Sequence, residues 1–357
     1  MTSPFIAVPA LPADADPREA TGRPVRWGVV ATGSIAATVT ADLALLPDAV
    51  LQAVSSRDAG RAQAFAEQFG FASWYADGDG GTGLDQLLAD PEVEAVYVAT
   101  PHAQHAAVVR AALTAGKHVL CEKPLTINAR EAREVAELAR DRGLFLMEAV
   151  WTRFLPAFQR AMAIAASGEI GTVQWVAAEV GFPAPADPTA RIWARADGGG
   201  SLLDLAVYPL LWAWGTLGRP AEVTAVGTLN GEGVDAQAAL SLQWPTCAQA
   251  QLTTSLLARS PHTALVCGTD GWIRTTGEHA VYRPTRLDVQ AGEGPLRTEE
   301  FPLIGSGYPW ELREATRCIQ AGLTESPTMP VADTVATMEL LDGVRRQLGV
   351  SYPNDEV

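Results

Sequence analysis

The sequence predicts an α/β protein: a doubly wound parallel sheet, followed by an α+β domain with an open, mostly antiparallel sheet. Three observations carry that expectation. Over the first 150 residues, short apolar runs alternate with segments of helical character; a turn of small residues follows the first run; beyond residue 151, alternating segments follow one another without helices between them. Strands of a parallel sheet are covered on both faces and read as near-continuous apolar runs, whereas strands with one wet face alternate.

At 357 residues the chain exceeds what one core sustains, so two domains are expected, at 24–150 and 151–357, behind a flexible leader over 1–23. RWGVV at 26–30 is followed by ATGSIAATVTADLALL, a strand, a turn and a helix. The pattern recurs at VLQAVSS then RDAGRAQAFAEQFG, at VEAVYVAT then PHAQHAAVVRAALTAG, and at KHVLCEK then NAREAREVAELARDRG. Past Trp151 come a helix over 156–167, the strand GTVQWVAAEVGF and a helix over SLLDLAVYPLLWAWGTLG. The alternating segments AEVTAVGTL, DAQAALSLQW, AQAQLTTSL, TALVCGT and GWIRTTG then predict the second sheet. Helices near 308–321 and 332–348 close the chain, the last free to pack back on the first domain.

A net charge of −15 repels nucleic acid and anionic membranes, and no apolar run of about 18 residues could span a bilayer. The start of the chain lacks a basic or twin-arginine signal, which predicts a cytoplasmic protein. The four cysteines have no paired spacing, so neither a disulfide framework nor a metal site is expected.

The turn Ala31-Thr32-Gly33-Ser34-Ile35-Ala36 sits where a dinucleotide fingerprint would, with alanine replacing its first glycine. Gly33 lets the backbone approach a pyrophosphate, and the helix start offers it unpaired N–H groups. The second strand ends Ser55-Ser56-Arg57, where an NAD-specific domain carries a carboxylate for the ribose hydroxyl. Hydroxyls and a guanidinium suit a 2′-phosphate instead, so NADP is expected, with NAD as the alternative. The strand end Thr100-Pro101-His102 and His105 after it lie at the sheet edge that binds ligands, although either histidine could serve the helix start instead.

After the next strand, Glu122-Lys123-Pro124 holds a lysine extended at the same edge. Together with the glycine turn and the Thr100-Pro101 strand end, this resembles the glucose-fructose oxidoreductase and inositol dehydrogenase (Gfo/Idh/MocA) family, over residues 26 to about 348. The resemblance implies a Rossmann domain and a C-terminal α+β domain whose open sheet assembles a homodimer or homotetramer. It also implies hydride transfer between a nicotinamide and a CH–OH or C=O carbon of a sugar, cyclitol or trans-diol. Glu122 and Lys123 fall among the implied cofactor contacts.

The family's second element is an aspartate followed four residues on by histidine or tyrosine, here Asp204 and Tyr208, spaced to share a helix face. Tyrosine at this point, with Met147-Glu148-Ala149-Val150-Trp151-Thr152-Arg153-Phe154, resembles the branch of dimeric dihydrodiol dehydrogenase and NADP-dependent D-xylose dehydrogenase. Tyr208 is then the general acid/base, Lys123 the ammonium that lowers its pKa and meets the substrate oxygen, and Asp204 an orienter of the substrate or of Lys123, with the first two roles exchangeable. Trp151, Arg153, Phe154, Arg191, Trp193 and Tyr308 are candidates for contact with a small polyhydroxylated substrate. A carbonyl reductase of the same family and an NAD(P)-binding sensor without turnover are the alternatives.

Overall fold

A computed structural model describes residues 16–187 and 189–356. Strands β1 (Val25–Val30), β2 (Ala49–Ser56), β3 (Ser73–Ala76), β4 (Ala95–Val98), β5 (His118–Glu122) and β6 (Leu146–Ala149) form one sheet in the order β3-β2-β1-β4-β5-β6. All neighbours in it run parallel. The crossovers carry α1 (Ser34–Leu43), α2 (Ala59–Phe69), α3 (Gly83–Ala89), α4 (His105–Thr114) and α5 (Ala129–Arg142). The run pattern does not announce β3: it is a four-residue edge strand with no buried residue, too short to show a period. Strand order reverses between β1 and β4, and ligands of such sheets bind in the crevice at that point.

The second sheet has eight strands: β7 (Val173–Gly181), β8 (Glu222–Leu229), β9 (Asp235–Gln243), β10 (Gln249–Ser255), β11 (Ala264–Gly268), β12 (Gly271–Thr275), β13 (Arg286–Ala291) and β14 (Arg297–Glu300). Their order is β14-β13-β12-β11-β7-β10-β9-β8, antiparallel throughout except for the β7/β10 pair. With it go α6 (Pro156–Ser167), α7 (Ser201–Leu205), α8 (Val207–Leu217), α9 (Pro309–Gln320) and α10 (Val331–Leu348). The single helix expected over 201–218 is two helices joined at Ala206. Pro209 explains the break, since it lacks the N–H that would bond the carbonyl of Leu205 and its ring crowds that turn. Ala206 itself keeps right-handed helical geometry, so Asp204 and Tyr208 stay one turn apart.

Polar contacts from both late helices tie them to the first domain. On α10, Asp342 accepts the Ala129 N–H at 3.0 Å, and Glu339 pairs with Arg133 at 2.7 Å. On α9, Arg313 is buried and pairs with Asp48 at 2.6 Å. Arg313 also donates to the Pro17 carbonyl at 2.8 Å, while the Thr21 N–H reaches Asp48 at 2.9 Å. The expected flexible leader is therefore corrected for residues 16–23: a buried guanidinium has recruited their backbone. Residues 1–15 of that leader lie outside the described residues. No helix among the described residues is long and apolar enough to cross a membrane.

Candidate active site

A cleft of about 720 Å³ opens at the carboxyl edge of the first sheet and reaches across to α7 and α8. Its first wall is the turn after β1. Ala31 adopts φ +85°, the left-handed region that glycine enters freely and alanine at a cost of about 1 kcal/mol or more. The alanine thus occupies a glycine's conformation, pinned by its N–H to the Ser55 carbonyl at 3.0 Å. Gly33 caps α1 with no side-chain hydrogen bond, and a Cβ there would meet nothing within 4 Å. The open space beside Gly33 is the cleft, where the first N–H groups of α1 can meet an anion.

Thr32, Ser34, Ile35, Ser56 and Arg57 line the same wall. So does Arg61, which sequence reasoning missed; its guanidinium donates to the Thr32 carbonyl at 3.2 Å. The available signal was its place in the first turn of the helix that Arg57 precedes. Asp58 accepts the Arg61 N–H at 2.7 Å as the cap of α2, so part of its charge is engaged at a helix start.

Thr100, Pro101 and His102 line the middle of the cleft. His102 donates from Nδ1 to the Gly198 carbonyl at 3.0 Å, joining the two units, and burial holds the ring neutral. His105 does not face the cleft. It is fully buried with its ring nitrogens 2.8 Å from the carbonyls of Thr100 and Pro124, so the expected cofactor contact is corrected to a brace between two loops.

At the deep end, Glu122 accepts the Tyr97 hydroxyl at 2.5 Å. Lys123 donates to the Asp204 carbonyl oxygen at 2.6 Å and to its Oδ1 at 3.3 Å, and its Nζ lies 5.2 Å from the centre of the Tyr208 ring. Lys123, Asp204 and Tyr208 all line the cleft. The Lys123 ammonium holds the Asp204 carboxyl low despite burial, so it is ionised. The Tyr208 hydroxyl accepts the Trp151 indole N–H at 3.3 Å. The expectation that Lys123 lowers the phenol is corrected: burial, with the Glu122 and Asp204 carboxylates nearby, pushes it well above its usual range. The phenol is a proton donor in this state.

Trp151 and Tyr308 stack at 4.5 Å and, with Arg191, line the outer wall. Tyr282, which no sequence pattern marks, packs 5.1 Å from the Tyr208 ring. Three other candidates are corrected. Arg153 turns away from the cleft into a buried ion pair with Asp333, because a 3-10 turn over Trp151–Phe154 sends successive side chains in different directions. Phe154 packs into the core. Trp193 donates its indole N–H to the Pro185 carbonyl at 2.8 Å and lies outside the cleft lining. Arg153→Ala is expected to cost about 3 to 5 kcal/mol of stability by stranding a buried carboxylate, with substrate KM unchanged. Urea unfolding beside steady-state kinetics checks this; a raised KM at unchanged stability would return Arg153 to the substrate side.

Asp235, fully buried at the start of β9, caps α7 by accepting the Ser201 hydroxyl and the Leu202 N–H, both at 2.7 Å. Burial raises its carboxyl to about 6 from 3.8. The contribution of this group to stability is therefore fully present below the unfolded value and lost as pH rises through about 6, a penalty of about 3 kcal/mol above it. Relative to Asp235→Asn, the protein should lose stability between pH 4 and 7 in urea titrations; parallel profiles for the two proteins would refute this.

A glycine turn beside hydroxyls and guanidinia, opening onto an ionised Asp204–Lys123 pair and a phenol, defines a nicotinamide-dependent oxidoreductase. Residues 25–150 match the "Oxidoreductase family, NAD-binding Rossmann fold" and residues 158–274 match the "GFO/IDH/MocA C-terminal domain". The chain belongs to the Gfo/Idh/MocA oxidoreductase family. It is 37% identical over 344 residues to trans-1,2-dihydrobenzene-1,2-diol dehydrogenase of Mus musculus, covering 93% of this chain and 99% of that enzyme. The Homo sapiens enzyme is 36% identical over 346 residues, with the same coverage. A 3-ketoreductase from Actinomadura kijaniata, solved with NADP and TDP-benzene, superposes with a TM-score of 0.78 at 27% identity, over 91% of this chain and 98% of its own.

Proposed function

We propose that this enzyme is an NADP-dependent dehydrogenase or reductase acting on a CH–OH or C=O carbon of a small diol, sugar or cyclitol. The observation that carries the reading is the meeting of Lys123, Asp204 and Tyr208 in the cleft that the Gly33 turn opens. Ala31, Thr32, Gly33, Ser34 and Ile35 would hold the pyrophosphate, and Ser56, Arg57 and Arg61 the 2′-phosphate. Thr100, Pro101, His102 and Glu122 would flank the nicotinamide, which supplies or accepts the hydride when bound.

Tyr208 holds the proton that an alkoxide takes up as a carbonyl is reduced, and receives it back in oxidation. Lys123, fixed by Asp204, presents an ammonium to the same oxygen and favours charge building there. Trp151 and Tyr308 offer flat faces to a ring, and Arg191 a donor fork to its hydroxyls. The protonated phenol is the form that carbonyl reduction uses, and the phenolate the form that oxidation uses.

Initial rates with NADP and NADPH, against aldoses, cyclitols, trans-diols and their carbonyl counterparts, test the reading beside Lys123→Ala. Near-normal turnover in that variant would remove the assignment of Lys123. The outer face of the second sheet carries Trp175 and Val226, 41% and 68% exposed. Through the register Trp175, Gln249, Gln243 and Glu222 they share one face, which we propose as the contact of a homodimer or homotetramer. Four unpaired cysteines suit a cytoplasmic setting.

A further inference from the structure

The structure assigns Asp42 as a positioning residue for the substrate wall of the cleft, acting through the loop that carries Tyr308; the inference rests on the reading of that wall given above. Asp42 sits in the last turn of α1, the helix whose first turn faces the cleft, and is 3% exposed. Its carboxylate reaches across to the second unit. Oδ1 and Oδ2 accept the Ser306 N–H at 3.0 and 2.9 Å, and Oδ2 accepts the Tyr308 N–H at 3.0 Å.

The loop between them is pressed close on both sides. Gly305 and Gly307 adopt φ +56° and +107°; a Cβ on Gly305 would stand 2.2 Å from Asp42 Oδ1, and one on Gly307 2.7 Å from the Trp151 indole. Bare backbone is thus wedged between a buried carboxylate and an indole, and Tyr308 emerges stacked on that indole at 4.5 Å. A buried carboxylate is costly unless its oxygens are satisfied, and here backbone donors of this loop satisfy both. A helix of ten residues is a rigid rod of about 15 Å. With the Gly33 turn at one end and Asp42 at the other, α1 fixes the separation of the cofactor turn from the aromatic wall.

Because Asp42 touches no substrate, its effect should appear in how the ring is held. With NADP and trans-cyclohexanediol, Asp42→Asn is expected to raise substrate KM about tenfold, with kcat and the NADPH dissociation constant within about twofold. Gly305→Ala, an exposed change that pushes the loop off the carboxylate, should do the same if Asp42→Asn fails to fold. On a Tyr308→Ala background either change should cost less than about twofold, since residues acting through one another are not additive. Additive losses, or an Asp42→Asn protein with an unchanged KM, would overturn this inference alone. A Tyr308→Ala protein with an unchanged KM would instead remove the substrate-wall reading, and this inference with it.

Discussion

Tyr208→Phe should lower kcat/KM for carbonyl reduction by about a hundred- to ten-thousandfold, the usual range for a lost proton donor, while NADPH binds as before. The ring is retained, so packing against Tyr282 and the Trp151 side persists and only the hydroxyl is lost. The direction of the phenol's shift sets the pH behaviour. Burial raises it, so the proton donor is in place throughout the neutral range and reduction should be flat in pH there. Oxidation needs the deprotonated form, whose fraction grows about tenfold per pH unit below the pKa. Diol oxidation should therefore climb with pH toward the alkaline limit, and the Phe variant should lose that slope. Paired pH profiles in both directions measure this; a variant within about threefold of the parent would take Tyr208 out of the proton path.

Much of this site was legible because its chemistry lies at places where the chain is locally constrained. A lysine before a proline at a strand end has a restricted backbone that keeps it at the sheet edge, and residues four apart on a helix share a face even where Pro209 breaks it. What could not be read depends on partners far along the chain. Arg153 beside Trp151 looks like a substrate ligand until Asp333, 180 positions on, supplies a buried counter-charge. Residues 17–21 look like a loose leader until Arg313 claims them. The protonation of Tyr208 is of the same kind: Lys123 lies 5.2 Å from its ring, but burial, with the Glu122 and Asp204 carboxylates, raises the phenol, and burial has no local sequence signature. Strand β14 escaped for a simpler reason, since four residues at a sheet edge, none of them buried, give the period little room to appear.

Cofactor choice carries the other large effect. Replacing Arg57 and Arg61 together by alanine should weaken NADP binding about a hundredfold, or about 2.7 kcal/mol, while NAD binding changes little. Each guanidinium offers charge-assisted hydrogen bonds to a phosphate that NAD lacks, worth about 1.5 to 3 kcal/mol apiece when sheltered. Both side chains belong to exposed residues at the rim of the cleft, so the lower end of that range applies. Arg61 is also tethered to the Thr32 carbonyl, which places it beside the turn that would bear the pyrophosphate and limits what is lost on ordering it. The same exposure makes the contact sensitive to salt: the dissociation constant for NADP should rise with ionic strength in the parent and much less in the double variant. Equal losses for NADP and NAD, or an undiminished salt dependence in the variant, would mean that these arginines serve the turn itself rather than a phosphate.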